Sequence, residues 1–472
     1  MLDLNADELV RSILGRSPAD RVCILDSCGV GHLGSHLLIA GVEPVETFEI
    51  CDDDPSNAVA MLDEKIFGDL ACVFTLSYDL GRKLLEIPSR PKEHVTPNEP
   101  DVCLSVFDVL IIHDYNSGKT GMIGNSSKFD HVESLLTSGI ANTRLQIQDL
   151  KPDRDALQSI VVSNFSRQKY RESVEIVKDR IRSGDTYQAN LTQQLTAQLP
   201  KKLTPGEIFW RLRRDHPAPF AAFIDRGNSS VISASPERFF RIDLRSREIS
   251  TSPIKGTRPR GSTSTEDARL RRDLLESEKD VAENTMIVDL LRNDLGRVCE
   301  FGSVTVEKKC ELEEHPSLFH LVSTINGKIR ENTRFSDILR AAFPCGSITG
   351  APKLSTMRII DEIETVERGS SMGAIGYFLP GRIKGASSNE GIDWRVGPGL
   401  ESPLIDLSVA IRTMVVRGRT ATFNVGGGIV IDSDGDSEYD ESLTKAKALL
   451  DAINGRSPDE KITREQIAGN GV

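Results

Sequence analysis

The sequence predicts an α+β protein, and three observations predict it. The chain has 472 residues, more than one ordinary core encloses, so two domains or one large interleaved domain is expected. Hydrophobic residues make up 38% and charged residues 27%, the balance of a globular protein. Along most of its length, strand-like apolar runs alternate with longer segments of helical period.

The first segment, from about residue 20 to 150, mixes short apolar runs with Pro- and Gly-rich turns, and Pro88 through Pro100 reads as a surface loop. Near Asn164 the texture changes. Between Gln168 and Ser183, residues Tyr170, Val174, Val177 and Ile181 recur at helical spacing, and Gly184 is a natural C-terminal stop. The boundary is set just before this helix, giving an N-terminal region 1–160, a main domain 161–458 and a polar tail 459–472. Beyond the boundary, Val231 to Ile242, Leu404 to Val416 and Ala421 to Ile431 read as strands. Thr265 to Leu295, Pro352 to Glu364 and Ser437 to Ile453 read as helices, and Lys384 to Pro403 as an inserted loop.

Charge excludes some classes of partner. The 58 basic and 70 acidic residues leave a net charge of −12, which argues against nucleic acid or an anionic membrane, since both need a cationic footprint. The first residues carry no apolar signal segment, and runs such as Val109 to Ile112 are too short to span a bilayer. Eight scattered cysteines without a Cys-x-x-Cys pair read as reduced thiols of a cytoplasmic protein.

Gly29-Val30-Gly31-His32-Leu33-Gly34 fits the dinucleotide pattern G-x-G-x-x-G after the apolar run Val22 to Leu25, with Glu46 and Glu49 near the distance of a ribose-binding acid. Two features oppose that reading. Asp26-Ser27-Cys28 separates the apolar run from the first glycine, and Asp52-Asp53-Asp54-Pro55 breaks the pattern where a parallel sheet should continue. A glycine-rich turn before a short helix is the preferred alternative.

Chemistry concentrates in the second part. Asp280 and Glu283 share a helical face, and Glu438 and Glu441 repeat the spacing with Lys445 one turn on. Each pair alone fits a solvated face; converging, they would suit Mg²⁺, which prefers carboxylates and retained waters. Gly346 to Lys353 runs into a helix whose free amides favour an anion, but its spacing is not that of a Walker A loop. Gly426-Gly427-Gly428 allows close approach of a ligand to backbone. Lys255, within Pro253-Ile254-Lys255-Gly256-Thr257, reads either as an edge lysine or, if desolvated near an anionic substrate, as a nucleophile.

These runs together closely resemble the chorismate-binding enzymes. The resemblance is carried by Gly184 to Leu191, Ser235-Pro236-Glu237-Arg238-Phe239, the Lys255 run, Met286 to Arg297, the Gly346 loop, Gly376-Tyr377, Ala410-Ile411-Arg412-Thr413 and Gly426 to Ile429, in family order. It matches more weakly at Ile24 to Ser27 and Ser77 to Gly81. The resemblance implies a large two-layered antiparallel β-sandwich flanked by helices, as in anthranilate synthase component I. It implies Glu283 and Glu441 as principal Mg²⁺ carboxylates, with Asp280 and Glu438 acting directly or through water. It further implies Tyr377, Arg412, Gly428 and Lys445 as anchors for the carboxylates of chorismate. Gly256, Thr257, Thr349 and Ile411 would line the pocket, with His320 as an active-site histidine and Glu237 as general acid. Relatives that add water at C2 have lysine where this chain has Gln188, and anthranilate-forming relatives usually have alanine at Lys255. The two side chains therefore point to the branch that aminates C4 through a covalent lysine adduct. Without a segment resembling a class I glutaminase, the expected ammonia donor is a separate subunit of that kind. In anthranilate-forming relatives a Leu-Glu-Ser run helps form a tryptophan feedback site; here it reads Leu25-Asp26-Ser27.

Overall fold

The computed structural model describes residues 2–17, 20–30, 36–92, 99–143, 160–314, 318–381, 392–393, 403–456 and 467–469. Two large sheets dominate them, one of thirteen described strands and one of ten. All described pairings are antiparallel except that of Ile467–Gly469 with Val161–Ser163. The first sheet runs through Lys119–Asn125, Val109–Asp114, Leu37–Gly41, Cys23–Asp26, Phe220–Asp225, Ser230–Ser235, Thr413–Arg417, Thr420–Ile429 and Gln188–Gln198. The second runs from Ile254–Pro259 through Leu318–Lys328, Glu248–Ser252, Arg238–Asp243, Leu404–Val409, Ala374–Leu379 and Ala71–Leu76 to Val102–Phe107 and Glu46–Ile50.

The sheets face each other. Ile39, Leu110, Ala222 and Val415 of the first pack with Val73, Ile375, Leu379 and Leu404 of the second. Helices cover both outer faces: Ala6–Leu14, Pro205–Asp215 and Gly435–Asn454 on the first, Ser56–Ile66, Glu278–Gly296, Phe335–Ala342 and Lys353–Ile363 on the second. This is the flanked antiparallel sandwich that the sequence led us to expect. Burying each of the large side chains, such as Phe74, Phe239, Phe335 and Phe423, contributes roughly 1.5–3 kcal/mol. Strands from before residue 126 and after residue 161 are neighbours in both sheets, as Cys23–Asp26 is to Phe220–Asp225 and Ala71–Leu76 to Ala374–Leu379.

Several sequence expectations change here. The run Val231 to Ile242 is two strands, Ser230–Ser235 in the first sheet and Arg238–Asp243 in the second. Pro236, which cannot donate to a ladder, marks the switch. Leu404 to Val416 likewise divides into Leu404–Val409 and Thr413–Arg417, again in different sheets. The two switches lie side by side, because the Val409 N–H donates to Glu237 O (3.0 Å) and the Ala234 N–H to Arg412 O (3.0 Å). The helix read over Thr265 to Leu295 is broken into Ser264–Leu275 and Glu278–Gly296, where Ser277 caps the second by accepting the Asp280 N–H.

The dinucleotide reading fails on topology. Cys23–Asp26 pairs antiparallel with Leu37–Gly41, whereas that motif needs a parallel neighbour reached through a crossover helix. Glu46 and Glu49 lie on a strand of the other sheet. Residues 31–35 of the glycine run, most of the 384–403 loop and most of the tail lie outside the described residues. No described helix is long and apolar enough to cross a membrane. All eight cysteines are free thiols.

Candidate active site

Where the two strand switches meet the ends of Ile254–Pro259 and Thr420–Ile429, a cleft of about 510 Å³ opens. It is lined by Glu237, Lys255, Gly256, Thr257, Asp280, Glu283, His320, Ile411, Arg412, Gly428, Glu438, Glu441 and Lys445. Thirteen residues predicted from sequence, drawn from elements far apart in the chain, therefore border one space.

Local structure explains how. Ile254–Pro259 pairs with Leu318–Lys328, and its register shifts between Lys255 and Thr257. The extra residue is Gly256, at φ +74°, so the strand carries a β-bulge that breaks its alternation. Ile254 through Arg258 consequently all border the cleft. A Cβ at position 256 would stand 2.8 Å from Leu274 Cδ1 and 3.0 Å from Asp280 Cβ, so only glycine lets strand and helix approach this closely. A Cβ at Gly428 would stand 1.9 Å from Gln188 Nε2. The Thr257 hydroxyl and His320 Nδ1 are 2.9 Å apart.

Glu237 is 4% exposed, and its Oε1 has no hydrogen-bond partner among the described residues. Burial pushes its carboxyl up to about 7, against the opposing pull of the Lys255 charge and of hydrogen bonds from Ser347 and the Ile254 backbone. Arg412 sits at the other switch in the left-handed region, φ +48°, which is costly for a side-chain-bearing residue. Burial lowers its guanidinium, and no carboxylate pairs with it among the described residues. A desolvated arginine facing a cleft in this way is built to take an anion.

The acids stand opposite one another on Glu278–Gly296 and Gly435–Asn454. Asp280 is paired with Arg258 at 3.0 Å and Glu441 with Lys445 at 2.9 Å. Lys445 also donates to Gly426 O at 2.9 Å. Burial would raise Glu441, but Lys445, Lys279 and Lys255 outweigh it and hold its carboxyl low. Glu438 is raised, by burial and by the charge of Glu441, while a hydrogen bond from Ser433 (2.7 Å) opposes. No three described His, Cys, Asp or Glu side chains are gathered closely enough to cage a metal. The donor chemistry, carboxylate oxygens only and two of them in mutual repulsion, nonetheless fits a hard divalent cation.

Two expected pocket residues lie elsewhere. Tyr377 borders a separate cavity of about 50 Å³ with Leu25, Asp26, Ser27 and Phe220, because alternation along Ala374–Leu379 turns it inward between the sheets beside Ile375 and Leu379. In that cavity Asp26 is already engaged by Arg213 (2.6 Å) and by the Tyr115 hydroxyl (2.7 Å). Thr349 is fully buried behind the cleft wall, its hydroxyl donating to Cys345 O at 3.1 Å. The helix N-terminus expected to hold an anion is also turned away. Gly350–Ala351 pairs with the start of Gln188–Gln198, and Lys353 is buried against Asp294 at 2.6 Å.

Lys279, Arg258 and Asn424, outside the runs that carry the resemblance, also line the cleft, as do Asn190 and Ser347, which lie within those runs but have no predicted role. Arg258 and Lys279 had a signal, being the charged neighbours of residues already singled out. Buried amides on long strands had none.

The chain matches the chorismate binding enzyme family over residues 34–386 and 402–451. It is 42% identical over 382 residues to aminodeoxychorismate synthase of Streptomyces griseus, covering 80% of this chain and 49% of that one. The chain thus spans about half the length of that relative. It is 37% identical over 378 residues to aminodeoxychorismate synthase component 1 of Escherichia coli strain K12 (79% and 74% covered). To an anthranilate synthase component 1 of Haloarcula marismortui it is 36% identical over 412 residues (83% and 78%). Among solved structures, anthranilate synthase component I from Streptococcus pneumoniae aligns with TM-score 0.69 and 28% identity, over 89% of this chain and 93% of that one. The menaquinone-specific isochorismate synthase from Escherichia coli shares the fold at 15% identity, TM-score 0.65, over 96% and 92%.

Proposed function

The chain belongs to the chorismate-binding enzymes, and from that premise we propose that it aminates chorismate at C4 to give 4-amino-4-deoxychorismate, the precursor of p-aminobenzoate and folate. The observation that carries this reading is the pair formed by Lys255 and buried Glu237 on one wall of the cleft, one side chain to attack and one to protonate. Relatives at 37–42% identity bear the name aminodeoxychorismate synthase, which supports the same choice.

Arg412 and Lys445 hold the substrate's carboxylates, lowering the entropic cost of attack by orienting the ring. Neutral Lys255 forms a bond from Nζ to C2, the ring double bonds shift, and the C4–O bond breaks. Glu237 delivers its proton to the departing oxygen, so water leaves rather than hydroxide. Ammonia then bonds to C4, the double bonds shift back, and the C2–N bond to Lys255 breaks. Glu237 suits its role because burial raises its carboxyl to about 7, so that it keeps a proton to deliver. His320, hydrogen-bonded to Thr257, orients the strand end beside the reacting ring. Glu283 and Glu441, with Asp280 and Glu438, would hold Mg²⁺, which supplies charge stabilisation to the ring carboxylate. A class I glutaminase subunit is the proposed source of ammonia, and the cytoplasm the proposed compartment.

Product identity tests the reading. With chorismate, Mg²⁺ and ammonium, p-aminobenzoate should appear only after the partner lyase is added; fluorescent anthranilate formed without lyase would assign the chain to the C2-aminating branch instead. Glu283→Gln should lose Mg²⁺-dependent turnover, and an unchanged metal dependence would contradict the ligand assignment.

A further inference from the structure

Behind the cleft lies a second, smaller cavity of about 30 Å³. Its rim is formed by half-buried Glu99, Glu367, Arg417 and Thr422, its inner wall by buried Gln194, Arg368, Ser371 and Asn424. Asn424 also borders the 510 Å³ cleft, so this one residue is shared by the linings of the two spaces. A volume of this size admits a molecule as small as water or ammonia and excludes chorismate.

The partition has an unusual hydrogen-bond account. Asn424 is 1% exposed; its Nδ2 donates to Arg368 O (2.7 Å) and its backbone N–H to Ser371 Oγ (2.9 Å). Its Oδ1 accepts nothing among the described residues, although an unmet buried acceptor costs about 1–3 kcal/mol. On the cleft side, Asn190 Oδ1 is likewise buried and unmet. Both are acceptors, and ammonia is a donor.

The wall offers no net charge. Arg368 is 3% exposed and neutralised by Glu364 at 2.7 Å, and its remaining donors go to Ile348 O (2.7 Å) and Asn190 O (2.6 Å). Ammonium entering here would lose its hydration without a counter-ion, whereas neutral ammonia would not. Thr422, Asn424, Gly426 and Gly428 share one face of their strand by alternation. The first two have side chains bordering the small cavity, and the glycines, which have none, border the cleft.

We propose that ammonia enters the cleft from behind, through the cavity between Thr422 and Asn424, with the Asn424 carboxamide oxygen as the acceptor that passes it to the substrate. This rests on the amination reading above and adds to it an entry distinct from the one chorismate uses. The rim formed by Glu99, Arg417 and Thr422 then marks the face that an ammonia-producing partner must cover.

The test measures KM for ammonia, supplied as ammonium chloride at saturating chorismate, in the full chain. Thr422→Phe fills the rim with a residue that strands tolerate, and Asn424→Leu removes the acceptor. Each should raise the ammonia KM by at least about tenfold, a barrier of roughly 1.4 kcal/mol; in Thr422→Phe, which lies outside the cleft lining, the chorismate KM and the lysine adduct formed without ammonia should stay as in wild type. An unchanged ammonia KM in a folded Thr422→Phe, with wild type aminating normally, overturns the route and leaves the functional reading standing. Failure of the wild type to aminate chorismate at any ammonium concentration overturns both.

Discussion

At the scale of single residues, the site is a set of charges held away from their usual comforts. Glu237 is the clearest case, because its burial raises the carboxyl from its ordinary 4.5 to about 7. The folded state therefore binds this proton more tightly than the unfolded chain, so stability falls as pH rises from about 4.5 to about 7. Glu237→Gln removes that slope, and its urea midpoint relative to wild type should improve between pH 5.5 and pH 8. The same change should lower turnover by about 10²–10⁴, the usual contribution of a positioned acid. In wild type, kcat/KM should fall as pH rises through about 7, as the acid loses its proton. A Gln variant with wild-type kcat would remove Glu237 from the chemistry. Most of these side chains were legible in sequence because their types and spacing match a known family. Tyr377 and Thr349 were not correctly placed, since a motif identifies a residue without saying toward which face its strand turns it.

Among the elements, irregularities build the cleft. The bulge at Gly256 brings five consecutive residues to one wall, and the two adjacent sheet switches at Pro236 and Arg412 deliver Glu237 and Arg412 to the same cleft. Gly256→Ala meets both a positive φ and a contact of 2.8 Å with Leu274. It should destabilise the protein by about 1–3 kcal/mol and displace Lys255 from its place in the cleft wall, so turnover should fall further than stability explains; full activity would show that the bulge is incidental. Helices were read nearly to their ends, as Gly435–Asn454 is against Ser437 to Ile453, because a 3.6-residue period with caps is written locally. Strands that change sheets look like single runs in the sequence, as Val231 to Ile242 and Leu404 to Val416 do. An apolar stretch buried on both sides looks the same whichever sheet it joins, and Pro236 was the one local mark of the change.

For the whole molecule, the sandwich interleaves early and late strands, and this long-range pairing is what no local pattern could reveal. Within the second sheet, two neighbouring strands are joined by Arg238 and Asp406, a bidentate pair at 3.0 and 3.1 Å, 3% and 4% exposed. Removing one partner strands a buried charge, so Asp406→Ala should cost about 3–5 kcal/mol in urea unfolding, and a cost under about 1 kcal/mol would show the pair to be solvated. Because Arg238 directly follows Glu237, the same loss should loosen the acid. The proposed chemistry turns on Lys255 forming a bond to the ring. Intact-protein mass spectrometry with chorismate and Mg²⁺, in the absence of ammonia, tests this directly. A species heavier by one chorismate less one water is expected, mapped to Lys255 and absent in Lys255→Ala. C4 amination at the wild-type rate by Lys255→Ala, with no adduct on the wild-type chain, would contradict it.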